Sequence, residues 1–446
     1  MFSRAFCCCL FGAVCLLPTW AQPSPPMEEE IRQHFSHELE PQPLKEWPKP
    51  DRLLKLSLEE AIRLGLERNP DHLAAQSRSR QSYWRYQTTT ALPHASLVMG
   101  TQSGYGIGYI NGTFSGQGGF DNYLQVFQPI GILGARATDR KIAVADVSRS
   151  LQDQEQTRVD TIHQVKDNYY QLVAAQKQVR VTQQNAALAQ QILDVAQRRA
   201  KVGAGPEVDV INADIQLKRA LQDLRSAEAN ELVQDGQLKP WLNLENTAKI
   251  DCQDDFQTLP PPPTLAQALE LAKQNPRMLS AQLQADKSRL QAVRADQDNN
   301  PFFNTIGFYS LVNHSWGMNF QMAIPMDWGD LRNTSRAAHE QVNEQALAAQ
   351  KTLLNLQTEI QGNLDSYRAI ASNAQEFADK ILQPAERTLK IYQSGYAVGV
   401  VPYIQVLTVQ QQVVSARLDL VNRQLLAQEA LDALEASLAQ PLLIKR

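Results

Sequence analysis

Cysteine is almost missing from this chain. Four of its five copies, Cys7, Cys8, Cys9 and Cys15, fall within the first 21 residues, which leaves Cys252 alone beyond them and excludes an internal disulfide there. Long apolar runs are missing as well. Past the N-terminus no stretch approaches the roughly 18 apolar residues of a membrane helix, so any crossing of a bilayer must be made with strands. There is no excess of basic charge: 43 Lys and Arg stand against 47 Asp and Glu, a net charge of −4, which argues against nucleic acid as a partner. Aromatics reach only 7%, while Ala, Gln, Leu, Glu and Arg dominate long stretches, a composition of long amphipathic helices. No nucleophile, general base and orienting group occur together at a recognisable spacing. The sequence therefore reads as no enzyme, with no catalytic residue, metal site or cofactor.

What is present begins with a leader. Arg4 precedes an apolar run from Ala5 to Leu17, and Pro18-Thr-Trp-Ala21 offers a small residue at a cleavage point, as in a secretory signal peptide over residues 1–21. Residues 22–56 carry prolines at 23, 25, 26, 41, 43, 48 and 50 and read as an extended tether. The remainder says one thing twice. Pro129, Gly203 and Pro206 recur as Pro325, Gly399 and Pro402, every pair 196 residues apart, and Leu58-Glu-Glu-Ala…Asn-Pro70 returns as Leu265-Ala-Gln-Ala…Asn-Pro276, with Pro70 and Pro276 an interval of 206 apart. This is an internal duplication. Residues 57–241 and 264–441 are two copies of one unit, joined by a linker over 242–263 in which Pro260 to Pro263 form a rigid spacer.

Each copy opens with an expected helix, Ser57 to Ala91 or Thr264 to Gln297. Ser57 and Thr264 are N-caps, and Glu60 completes a capping box with Ser57. Two strands follow: Ala95 to Ile110 and Gly119 to Pro129 in the first copy, Phe302 to Val312 and Ser315 to Pro325 in the second. They match the roughly 9 to 11 residues with which a tilted strand crosses a bilayer. Met318, Phe320, Met322 and Ile324 alternate with Asn319, Gln321 and Ala323, which predicts a lipid-facing and a polar face. The first copy joins its strands by a longer turn containing Asn111-Gly112. Long helices then run from Ala135 to Lys201 and from Asp330 to Ala397, with Ile162, Val165, Tyr169 and Leu172 spaced as on a coiled-coil seam. At about 1.5 Å per residue they reach roughly 100 Å. A Gly-containing turn and a further helix, to Trp241 or Gln440, close each copy, with Pro206 and Pro402 suited to the first turn. Two shorter helices end to end match one long one, which puts the strand hairpins at one end of the packed helices and the Gly turns at the other. The fold class is mainly α with a β-barrel. Four strands cannot close a barrel, which takes about eight or more, and an open edge cannot survive in lipid, so several copies must share one barrel.

This order of motifs resembles the TolC-type outer-membrane channel family from Ser57 to about Pro441. The likeness rests on the paired Leu-x-x-Ala…Asn-Pro openings, on Gln128-Pro129-Ile130 and Ile324-Pro325-Met326 leading into long helices, and on the two Val-Gly turns. It implies a homotrimer in the outer membrane of a Gram-negative bacterium, with a shared twelve-stranded barrel continued by a long α-helical tunnel in the periplasm. Pro129-Ile-Gly-Ile-Leu-Gly-Ala-Arg136 is most similar to CzcC-like channels paired with heavy-metal cation pumps. The implied function is passive exit in a tripartite efflux system, with a periplasmic adaptor and an inner-membrane RND-type pump as partners. The resemblance also implies adaptor docking at a periplasmic tip made of Val202, Gly203, Ala204, Val398, Gly399 and Val400. It places a pore aperture just beyond the tip, at Asp209, Gln405 and Thr408. Only Asp209 of these is acidic, and Val401 stands where the family commonly has an arginine, so a gate closed largely by helix packing is expected.

Other features carry less. Gly104-Tyr-Gly106-Ile-Gly108 lacks the flanking strand and helix of a dinucleotide loop and reads as strand and external loop. His34 and His37 sit in the tether without further ligands, and Cys252 beside Asp251, Asp254 and Asp255 reads as a buried thiol or an adventitious metal contact. A periplasmic coiled-coil adaptor would share the leader and the helices, but needs a compact β-rich domain and would not duplicate membrane-length strands. Within the channel reading, the alternative is an exit duct for organic drugs or for a polypeptide secreted by a type I system.

Overall fold

The computed structural model describes residues 29, 31, 33–35, 53–91, 93–104, 108–110, 113–115, 119–132, 134–311, 314–326 and 329–442, with side chains set aside from 102 to 121. The leader and most of the tether lie outside them. The elements are β1 (Leu53–Leu56), α1 (Leu58–Arg68), α2 (Pro70–Thr90), β2 (Ser96–Gly104), β3 (Gly108–Ile110), β4 (Thr113–Ser115), β5 (Gly119–Ile132), α3 (Ala135–Lys201), α4 (Glu207–Leu242), β6 (Lys249–Cys252), α5 (Leu265–Ala272), α6 (Pro276–Gln297), β7 (Phe302–Ser310), β8 (Trp316–Ala323), α7 (Asp330–Phe377), α8 (Gln383–Ala397) and α9 (Tyr403–Leu438). The chain divides into two compact units, Met1–Pro43 with Arg80–Ser148 and Asp286–Val342, and Leu44–Ser79 with Arg149–Ala285 and Asn343–Arg446.

The opening helix of each copy is broken, not continuous. A residue before proline is pushed out of the helical region, and Asn69 accordingly sits at φ −62°, ψ 125°. Both copies turn that break into a joint. Asn69 Oδ1 accepts from Asp71 N at 2.8 Å, capping α2, while its amide donates to Trp241 O at 3.3 Å near the end of α4. Asn275 repeats this, with Oδ1 accepting from Arg277 N at 2.8 Å and the amide donating to Ser437 O at 2.9 Å. Both asparagines are buried. The capping boxes of Ser57 with Glu60 and of Thr264 with Gln267 are formed.

In the second unit, Val165, Tyr169 and Leu172 of the α3 seam are fully buried against α1, α4 and the two strands β1 and β6, while Ile162 is half-buried. A matching core joins α5, α7 and α9 through Ala268, Ile360, Leu364, Tyr367, Leu434 and Leu438. Leu53–Leu56, expected in the tether, instead pairs in parallel with Lys249–Cys252. The inter-repeat linker is tied down along its length: Leu58 N donates to Asp254 Oδ2 at 2.7 Å, Gln428 donates to Gln257 O, Tyr367 to Pro260 O and Arg368 to Pro263 O. Cys252 is buried at the end of β6, where burial pushes its thiol up to about 12. The second long helix, expected whole to Ala397, is interrupted by a π turn over Ala378–Leu382, just ahead of Pro384.

In the first unit, β2, β5, β7 and β8 form one antiparallel sheet in that order. The strand expected to reach Ile110 ends at Gly104. Residues beyond it form a separate small hairpin, β3 with β4, around Asn111-Gly112. β5 runs on through Pro129, with a register shift between Pro129 and Gly131 where the missing N–H is accommodated. Residues 31 and 33–35, also expected in the tether, are helical, and Phe35 stacks on Tyr83 with ring centroids 4.4 Å apart. His34 packs edge-on against Phe35, and His37 lies outside the described residues.

Replacing Asn275 by Ala removes the side-chain partner of the Ser437 carbonyl and of the Arg277 N–H in a buried joint. The expected loss is about 1–3 kcal/mol, read as a lower melting temperature of the purified protein, with Asn69→Ala giving a similar loss.

A buried charge cluster joins α3 to α9. His163 Nδ1 lies 2.6 Å from Asp432 Oδ2, and Lys166 Nζ lies 2.5 Å from Glu435 Oε2 and 3.4 Å from Asp432 Oδ1. The hydrogen bond to Asp432 holds the pKa of His163 above its usual value, against burial. A raised folded pKa means the imidazolium contributes stability in full below its unfolded pKa, and that contribution fades as pH rises through the folded value. Asp167 and Glu429, both pushed up by burial, act in the same direction at lower pH. Thermal melting followed across the neutral range should show stability falling as pH rises, and His163→Gln should flatten that part of the curve.

Candidate functional site

Two features gather the residues expected to act: the paired Gly turns and the faces of the four-stranded sheet. At the first turn the N–H groups just past the end of α3 donate back to its last carbonyls. Gly203 N donates to Ala200 O at 3.0 Å and Ala204 N to Arg199 O at 2.9 Å. Gly203 takes φ +70°, a left-handed cap that side chains disfavour. The second turn copies it, with Gly399 at φ +83°, Gly399 N donating to Tyr396 O at 3.0 Å and Val400 N to Gly395 O at 2.9 Å. Pro206 and Pro402 occupy the cap position itself, one residue ahead of the helical turn expected for them. The turns present bare apolar side chains: Val202 is 78% exposed, Val398 76% and Val400 79%. Ala204 is exposed as well.

Behind these tips the two copies are clamped together by a residue that the sequence reading passed over. Arg199 Nη1 donates to Tyr396 O at 2.8 Å and Nη2 to Ala204 O at 3.1 Å, and its guanidinium lies 4.7 Å from the centre of the Tyr396 ring. One planar, always-charged group thus ties both turns through three contacts. Burial raises the Tyr396 phenol, helped by the nearby Asp209 carboxylate, and burial leads in pushing Tyr403 up to about 12. Asp209, in the first turn of α4, faces the positive end of that helix. Arg199, Asp209, Arg219, Tyr396 and Tyr403 line an open cleft of about 600 Å³. Gln405 and Thr408 are not brought there. Both are exposed on α9, and the Thr408 hydroxyl donates to Ile404 O at 2.9 Å. The family likeness places an arginine after the second turn, where Val401 stands. The one found here comes before the first.

The sheet register sorts its side chains. One face carries Leu97, Met99, Leu124, Val126, Phe303, Tyr309, Trp316, Met318, Phe320 and Met322, with Thr101, Asn122, Gln128 and Thr305 among them. Met318, Phe320, Met322 and, just past the strand, Ile324 are all exposed. The other face carries Gln125, Asn304, Asn319 and Gln321, interspersed with Tyr123, Phe127, Ile306 and Phe308. The outer edges of β2 and β8 are unpaired within the sheet. No helix among the described residues is long and apolar enough to cross a membrane. Nor do the described residues hold any group of three or more His, Cys, Asp and Glu placed to bind a metal ion.

A profile of outer membrane efflux proteins matches this chain twice, over residues 61–242 and 268–440. The chain belongs to the outer membrane efflux protein family. Curated protein sequences give no match. Among solved structures, the CmeC outer membrane channel of Campylobacter jejuni superposes with a TM-score of 0.71 at 16% identity, covering 86% of this chain and 85% of that one. CusC superposes at 0.73 and 14% identity, covering 89% and 99%. The outer membrane protein VceC of Vibrio cholerae does so at 0.71 and 16%, covering 86% and 96%. These likenesses establish a fold of the TolC type, and with the family they locate this efflux protein in the outer membrane, with its long helices in the periplasm.

Removing the clamp should loosen the tips of this efflux protein. Arg199→Ala forfeits charged hydrogen bonds worth about 1.5–3 kcal/mol each, and the channel reconstituted in a planar bilayer should open more often than the wild type. Arg199→Lys, which cannot fork between two carbonyls, should behave like Arg199→Ala.

Proposed function

We propose that three copies of this chain assemble into the exit duct of a tripartite efflux system, each contributing one four-stranded sheet to a twelve-stranded barrel that continues as an α-helical tunnel. The observation that carries this is the sheet itself: an apolar face, a carboxamide-bearing face and two unpaired edges in one four-stranded unit. In lipid every backbone N–H and C=O must be paired, so the edge of β8 requires the β2 edge of another copy. Transport through such a duct is passive, and energy and selectivity reside in the inner-membrane pump.

The exposed valines of the two turns suit a periplasmic adaptor as the docking partner, at Val202, Gly203, Ala204, Val398, Gly399 and Val400. Asp209, which lines one cleft with Tyr396 and Arg199, suits the aperture, and Gln405 and Thr408, on α9 outside that cleft, would add neutral polar groups to it. We assign Met318, Phe320, Met322 and Ile324 to the lipid side. Residues 57–241 and 264–441 act as the two repeats of the channel, behind a cleaved leader and a tether. Heavy-metal cations are the favoured cargo, on the similarity of Pro129–Arg136 to CzcC-like channels; organic compounds or a secreted polypeptide are the second reading.

Two measurements test this. Chemical crosslinking of the detergent-extracted outer-membrane fraction should give a trimer that runs faster unheated than boiled, and a soluble monomer refutes the shared barrel. A deletion strain should become sensitive to divalent heavy metals and recover with the gene. Sensitivity to organic compounds alone moves the cargo to the second reading.

A further inference from the structure

On the carboxamide-bearing face, two aromatic rings lie flat across glycines of the neighbouring strand. Tyr123 of β5 is directly opposite Gly100 of β2, and Phe308 of β7 is directly opposite Gly317 of β8. A Cβ added to Gly100 would come within 2.5 Å of the Tyr123 ring and its hydroxyl, and one added to Gly317 within 2.5 Å of the Phe308 ring. Each ring occupies the space that a side chain would fill on any other residue. The two pairs are neighbours, since Tyr123 faces Ser310 across the β5–β7 ladder and Phe308 faces Gln125 two residues along. Each hairpin, one per repeat, has its own pair.

Charge is sparse in these strands: Asp121, two residues before Tyr123 in β5, is their one ionisable acidic or basic residue. The strand segments 96–101, 122–132, 302–310 and 316–323 contain no Asp, Glu, Lys or Arg. An aqueous bore walled by this face has few fixed charges with which to sort its cargo, so its width carries more of the selection. Gln125 and Ser310 flank the rings along the β5–β7 ladder. A ring displaced from its glycine therefore has open room only away from the wall.

Resting on the reading of this sheet as one third of a shared barrel, we propose that Gly100 and Gly317 set the clear width of the exit duct. By accepting Tyr123 and Phe308 flat against the wall, they keep the rings, two per chain, out of the path of bulky cargo. The atoms that clash with an added Cβ belong to the far ends of movable rings, so Gly→Ala at these positions rotates a ring and leaves the strand pairing in place.

The test reads access from outside the cell. Gln321 lies on the same face, exposed, four residues from Gly317 and so about 13 Å deeper along the strand at about 3.3 Å per residue. A cysteine placed there (Gln321→Cys) is labelled on intact cells with a small maleimide and with maleimide-polyethylene glycols of increasing mass. Cys252 is buried and does not compete. With Gly100→Ala and Gly317→Ala added, labelling by the bulky reagents should fall severalfold while the small maleimide reacts as before. Adding Tyr123→Ala and Phe308→Ala should restore it. Unchanged labelling by every reagent in the alanine variants overturns the proposal, provided the heat-modifiable trimer is present. Each glycine is also replaced singly, so that failed assembly of the double variant decides nothing. Absence of a trimer in the unmodified protein refutes the shared barrel instead, a separate failure seen in a separate lane.

Discussion

The sheet's two open edges are the constraint on which the rest of this protein depends. β2 and β8 each leave a row of backbone N–H and C=O groups unpaired, and in hydrocarbon each such group costs several kcal/mol. Four twisted strands cannot curl far enough to satisfy them, because closure needs about eight. On the shared-barrel reading the chain is therefore incomplete by itself in the membrane where its family resides. Leu97, Met99, Met318, Phe320 and Met322 stand exposed on one face, where the shared barrel proposed above would set them against lipid.

Duplication gave the chain two similar halves, and the structure shows where they parted. Both keep the Asn-Pro joint, because a buried asparagine that both caps one helix and holds the end of another has no simple replacement. The tips have diverged in a complementary way. At equivalent positions the first copy has Arg199, Ala200 and Asp209, and the second Gly395, Tyr396 and Gln405. Neither copy holds the clamp alone. The guanidinium and carboxylate come from one, the ring and its carbonyl from the other. In two identical copies of the first repeat an alanine would stand at position 396, and Arg199 would lose the ring it lies over.

Much of this was legible in the sequence, for a physical reason: repetition and periodicity are long signals. The duplication, the alternation of Met318 to Ile324 and the seam of Val165, Tyr169 and Leu172 each rest on several residues in phase. What escaped rests on one residue or on distant partners. The break at Asn69 interrupts a pattern that continues on either side of it. The ladder of Leu53–Leu56 with Lys249–Cys252 joins two four-residue strands 196 residues apart, and nothing local announces it. The hairpin β3–β4 sits in a segment whose length suggested one longer strand. The π turn before Pro384 leaves the spacing of apolar residues almost unaltered. Arg199 was overlooked because the family likeness directed attention to the residue after the second turn. Its role depends on two carbonyls that no pattern of side chains can reveal.

The inter-repeat linker shows how composition can be read correctly and its consequence missed. Proline has no backbone N–H, so Pro260 to Pro263 can only accept hydrogen bonds, and a stiff spacer follows from that alone. An acceptor-only strand is also one that neighbouring side chains can hold without competition from its own donors. Tyr367 and Arg368 of α7 do so at Pro260 and Pro263, and Gln428 of α9 does so just ahead of the prolines, at Gln257. On the other side Lys177 of α3 pairs with Asp255 and stacks over Phe256. The segment is thus anchored in turn to α3, α9 and α7. Because the proline run can neither shorten into a helix nor supply donors to pair elsewhere, it fixes the spacing of these three helices, and the chemistry that made it a spacer makes it a strap.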